Sequence, residues 1–174
     1  MNGFRWIGGG TLIVLIDLRL SGFDVLVDLV GWALIYVGLR AVWRLDNALR
    51  IACGFAFLGA VFAVAELAFG ALATMFASAV ALVCVAVAVC TALMRVAGRR
   101  GEPAIERWAR VLRSALVVVT LSGLALSPLM LGTYLGPALV LAAVTAVVVV
   151  ASYVLLLMDR RVAGISTVSS QSIT

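Results

Sequence analysis

The sequence predicts an all-α fold: a polytopic membrane bundle of about six transmembrane helices with both termini inside. Three observations carry that expectation. The 174 residues are 65% hydrophobic and only 12% charged, against roughly 45–50% apolar in an ordinary soluble domain. A soluble chain of this size buries only about two-thirds of its surface, too little to hide so much apolar area. The apolar residues also fall into runs near the ~20 residues that cross a bilayer core in a helix, and the charges cluster between those runs.

In chain order, the first run (4–20) ends on Asp17 and Arg19, so it either spans or enters and returns as a half-helix. Arg5 before an apolar stretch suggests a secretory leader. No small-x-small cleavage site precedes the next charged cluster, however, and apolar runs continue, which predicts a retained helix. Gly8, Gly9 and Gly10 with Thr11 notch this segment. The second and third runs are 25–42 and 49–67. Little more than Ala68, Phe69 and Gly70 joins the third to the fourth (71–94), and Gly70 suits a turn needing positive φ. Ala73, Ala77 and Ala81 recur every fourth residue, a small-residue face that permits close helix approach. The fifth run (111–131) contains Ser127-Pro128, where a kink or frayed turn is expected. Pro137 suits the first turn of the sixth helix (138–158). Short connections predict successive antiparallel hairpins, so residues 1–161 read as a single transmembrane domain. The tail 162–174, rich in Ser and Thr, predicts disorder.

One longer connection separates the fourth and fifth runs. Pro103 can open a helix over about 103–113, with Ile105, Trp108, Ala109 and Leu112 on one face and Glu106, Arg107, Arg110 and Arg113 on the other. That pattern predicts an interfacial amphipathic helix lying under the membrane. Trp108, Arg107, Arg110 and Arg113 are its lipid-interface residues, the arginines meeting anionic head groups at about 1 kcal/mol each near the surface.

The basic residues set the orientation. All 13 are Arg, with no Lys and no His. If six helices alternate from a cytoplasmic N-terminus, the inner side holds every arginine except Arg19, and the opposite orientation inverts that bias. The acids divide evenly, with Asp17, Asp24, Asp28 and Glu66 outside and Asp46, Glu102, Glu106 and Asp159 inside. The prediction is therefore a multi-pass protein of the inner (plasma) membrane. Its net charge of +5 reflects this orientation rather than nucleic-acid binding.

Charge in the first outer turn is the most informative feature. Asp17, Arg19, Asp24 and Asp28 gather there, and Asp24 and Asp28, four apart, share a helix face. Carboxylates at membrane depth cost about 2.5–3.5 kcal/mol at the centre and find partners. The cluster reads either as a salt-bridged corner, with Arg19 paired to at least one of the three aspartates, or as a cation or substrate mouth that Glu66 joins. The stretch Asp17-Leu18-Arg19, Gly22-Phe23-Asp24, Leu26, Asp28 and Gly31-Trp32 resembles a group of small uncharacterised bacterial membrane proteins, mostly actinobacterial. Their first hairpin reads approximately D-L-R-x-x-G-F-D-x-L-P-D-x-x-G-W. Val27 stands where that pattern has Pro. The resemblance covers the first quarter of the chain and implies a multi-helix membrane fold without implying an activity. The Asp24-x-x-x-Asp28 spacing also resembles the magnesium-holding pair of intramembrane prenyltransferases, which implies a metal-assisted enzyme.

Absences narrow the chemistry. Without His there is no Ser-His protease, His-ligated haem or di-iron centre, and without Lys no retinal Schiff base. Cys53, Cys84 and Cys90 form no C-x-x-C pair and read as small apolar filler. No cofactor and no resident metal are expected. The leading expectation is a non-enzymatic membrane module: a small transporter or channel subunit, or an accessory subunit of a membrane complex. The alternative is an intramembrane enzyme using the outer aspartates with a divalent metal. Expected partners are anionic membrane lipids, with a membrane-protein partner or a second copy of the chain beside them, and no nucleic acid.

Overall fold

The computed structural model describes residues 3–20, 25–69, 72–126, 152–154 and 156–157, and it is all-helical. Among the described residues, five helices of 18 residues or more run in chain order: α1 (Gly3–Leu20), α2 (Val25–Val42), α3 (Asn47–Phe69), α4 (Leu72–Arg100) and α5 (Pro103–Leu126). Residues 152–154 and 156–157 are helical as well. Among the described residues, α3 and α4 contain stretches, Asn47–Ala65 and Ala77–Arg100, long and apolar enough to cross a membrane.

Each helix packs chiefly on its neighbours in sequence: α1 on α2, α2 on α3, α3 on α4 and α4 on α5. Glycine sets the first of these contacts. Gly3 faces Gly38, and Gly10 faces Gly31, so the two antiparallel helices meet at glycine twice, seven residues apart on each. A Cβ on Gly10 would lie 2.5 Å from the Gly31 carbonyl oxygen, and one on Gly38 would lie 2.7 Å from that of Gly3. Seven residues make about two helical turns, so both glycines of each helix fall on one face. Backbones can approach there as no larger residue would allow. Phe4, Ile7, Val14 and Ile35, all buried, fill the space beside them.

Trp32 carries the contact onward. Its indole is fully buried and occupies the space that a Cβ on Gly59 of α3 would need. Farther along, Leu49, Ala52 and Ala56 of α3 and Val85, Val89, Leu93 and Ala97 of α4 are buried. Ile105, Ala109, Leu112 and Leu116 give α5 its buried stripe. Tyr153, Val154 and Leu157 are buried too. All three cysteines are unpaired; Cys53 and Cys90 are buried and Cys84 is half-buried.

Two features differ from the sequence expectation. The segment 103–113 is not a separate helix. It is the first half of α5, which continues without a break to Leu126. Nothing between Pro103 and Leu126 stops a helix, and the break falls earlier, at Gly101. There φ is +71°, the Glu102 amide donates to the Ala97 carbonyl at 3.0 Å, and the Gly101 amide donates to that of Gly98 at 3.4 Å. This is the paired closure of a glycine-terminated helix, and Pro103 then opens the next one at its first position. The second difference is Trp108, which does not join Ile105, Ala109 and Leu112. It is 61% exposed, because α5's buried stripe is centred on those three residues and Trp108 lies at its margin.

Candidate functional site

Antiparallel packing brings the α2–α3 turn, the α4–α5 turn and the start of α1 to one end of the molecule. Among the described residues, Arg5, Arg40, Arg44, Arg50, Arg95, Arg99, Arg100, Arg107 and Arg110 lie toward that end, with Arg113 about a turn deeper. The backbone of Arg19 lies at the opposite end of α1.

The α2–α3 turn is built on Asp46. Its Oδ1 accepts a 2.8 Å hydrogen bond from the Ala48 amide, so Asp46 caps α3, an arrangement worth typically about 1 kcal/mol. The same oxygen accepts from Arg95 of α4 at 3.3 Å, tying the turn to the neighbouring helix. The Asp46 side chain is 4% exposed and that of Arg95 is 56% exposed. Solvent at the arginine limits the ion pair to at most about 1 kcal/mol. The cap therefore matters at least as much as the charge.

Trp43 forms the second feature of this turn. The guanidinium of Arg40 lies 5.0 Å from its ring centroid, and that of Arg50 lies 5.5 Å from it. Both distances fall within the roughly 6 Å over which an aromatic face attracts a cation. Arg40 also donates to the Tyr36 hydroxyl at 3.4 Å. Among the described residues the ion pairs are Asp46 with Arg95 and Glu106 with Arg110, which leaves Arg40 and Arg50 without a carboxylate there. Two like charges thus share one ring.

The α4–α5 corner carries two shallow surface depressions. One, of 430 Å³, is lined by Met94, Arg95, Gly98, Arg99 and Glu106. The other, of 330 Å³, is lined by Ala104, Arg107, Trp108 and Val111. Arg107 donates to the Pro103 carbonyl at 3.3 Å, and Arg110 pairs with Glu106 one turn back on α5. The sequence-derived interface residues Arg107, Trp108 and Arg110 are exposed together here, while Arg113 is half-buried.

Of the outer charge cluster, only the half-buried Asp28 has a described side chain. Asp24 and the side chains of Asp17, Arg19 and Glu66 lie outside the described residues. The sequence reading missed the Arg40–Trp43–Arg50 stack and the Asp46 cap. The signals for them were an arginine three residues before Trp43 and an aspartate a few residues ahead of the long apolar run that begins at Ile51. Comparison with protein-family models, curated proteins and solved structures finds no match to this chain.

Proposed function

We propose that this chain is a non-enzymatic, multi-pass protein of the inner membrane, with six spans and both termini cytoplasmic. It serves as an accessory subunit of a membrane complex, working through its arginine-rich end. The observation that carries this reading is the gathering of arginines at one end of an apolar helical array. Orientation by positive charge on the cytoplasmic side accounts for it. The outward-facing apolar residues of the array, Phe57 on α3 and Val118 and Leu121 on α5 among them, suit contact with acyl chains. The two depressions described above open onto the arginine surface, which favours an accessory role over a transport role for this chain alone.

The experiment has two arms. Membranes from cells expressing the chain are washed in alkaline carbonate, and the chain is then purified from native membranes in mild detergent. The expected result is retention in the washed membranes and recovery with a membrane-protein partner at fixed stoichiometry. Release by carbonate would overturn the integral-membrane reading, whereas recovery of the chain alone would overturn the accessory-subunit reading.

A further inference from the structure

From the α2–α3 turn we infer a discrete anionic-lipid site, in which Arg40 and Arg50, held on the ring of Trp43, grip the phosphodiester of a phospholipid that lacks a compensating amine. The inference rests on the membrane reading above and adds to it a site and a ligand class.

Two guanidiniums on one indole cannot be farther apart than their centroid distances, 5.0 and 5.5 Å, laid end to end. The ring attracts both but neutralises neither, and among the described residues no carboxylate pairs with them. Like charges held close repel, and an anion bound between them relieves that repulsion. Phosphate suits the pair because a guanidinium offers planar, two-point hydrogen bonding to its oxygens.

The surface beneath decides for a lipid over a soluble anion. From Arg40 an exposed stripe descends α2 through Val37, and from Arg50 another descends α3 through Gly54 and Phe57. Those residues follow at helical spacings of three, four and seven, so each stripe lies directly under its arginine. A Cβ on Gly54 would meet nothing within 4 Å, which leaves a notch in the α3 wall level with Val37. A phospholipid presents a phosphate to the arginines and an acyl chain to the notch at the same time. An acidic peptide or free phosphate would leave the apolar stripes uncovered.

The test is thermal unfolding of the full chain in neutral detergent during titration with phosphatidylglycerol, with phosphatidylcholine of the same acyl chains, with inorganic phosphate and with an acidic peptide. Phosphatidylglycerol should stabilise the chain saturably, with half-saturation about tenfold lower than for phosphatidylcholine. Arg40→Gln with Arg50→Gln should raise that half-saturation roughly tenfold, while Arg99→Gln with Arg100→Gln, the same charge change on α4, should move it less than about threefold. Arg40→Lys with Arg50→Lys keeps the charge but loses the planar fork. It should also lose most of the preference, and it decides the matter if the glutamine variant does not fold. Equal losses in the two glutamine variants, or a lysine variant like the parent, would show diffuse attraction and overturn the site. Equal stabilisation by inorganic phosphate or by the acidic peptide would overturn the lipid assignment. A chain that stays in carbonate-washed membranes yet shows no phosphatidylglycerol preference loses this site alone, whereas release by carbonate removes the membrane reading itself.

Discussion

Gly9 and Gly10 are chemically identical neighbours on α1 with opposite structural roles. A Cβ on Gly10 would meet the Gly31 carbonyl oxygen at 2.5 Å and the Ile35 amide nitrogen at 2.8 Å, both backbone atoms that cannot swing aside, whereas one on Gly9 meets nothing within 4 Å. Replacing Gly9 by Ala should leave thermal stability in detergent unchanged or raise it, by up to about 1 kcal/mol of helix propensity. Replacing Gly10 by Ala should cost about 1–3 kcal/mol, the usual penalty of overpacking, and should part α1 from α2. Equal effects in the two melting curves would show that the glycine contact does not hold the pair. Three consecutive glycines reveal a notch but not its direction, because together they cover most of the helix circumference. The direction comes from matching Gly3 and Gly10 with Gly31 and Gly38, two pairs at one seven-residue spacing. That match was present in the sequence and becomes meaningful only once α1 and α2 are paired antiparallel. The Arg40–Trp43–Arg50 stack was less legible. It joins the end of α2 to the first turn of α3, and the path of the turn between them decides whether the side chains meet.

At the level of elements, the helices were legible wherever composition changed sharply. The sequence boundaries 25–42 coincide with α2, and 49–67 lies within two residues of α3 at each end. The α4–α5 region was harder to read, because charge density there suggested a surface segment while helix continuity depends on breakers. Arginine is a good helix former, so a basic run does not end a helix. Gly101, at positive φ, does. A continuous α5 has a measurable length. Spin labels at positions 104 and 122, in a chain whose native cysteines are replaced by alanine, should lie about 27 Å apart at 1.5 Å per residue. A surface helix over 103–113 that turns through a right angle into a span would bring them to about 19 Å. The shorter distance, measured in bilayers, would restore two separate helices and would also free Trp108 from the exposed flank of α5.

On the scale of the whole molecule, the connection order and the arginine distribution constrain each other. Antiparallel neighbours send the α2–α3 and α4–α5 turns to one end and the α3–α4 connection to the other. Arg40, Arg44 and Arg50 flank the first of those turns, and Arg95, Arg99, Arg100 and Arg107 flank the second. The stretch around the α3–α4 connection, from Leu67 to Leu72, has no basic residue. A chain inserted with the arginine end outward would have to carry both basic turns across the bilayer, each arginine costing about 2.5–3.5 kcal/mol at the midplane. The opposite orientation transfers the short apolar α3–α4 connection and the α1–α2 turn, and Arg19 is the one basic residue flanking either of them. Single cysteines introduced at Asn47 and at Glu102, in the cysteine-free chain, should therefore react with a membrane-impermeant maleimide only in inverted vesicles. One at Gly70 should react in intact cells. The pairing of results matters more than any single label, because a tilted or re-entrant first helix would leave all three unchanged. Labelling of Asn47 and Glu102 on opposite sides would break the antiparallel hairpin arrangement itself. Labelling of both from outside intact cells would keep the fold and reverse the orientation, leaving the arginines to face the exterior.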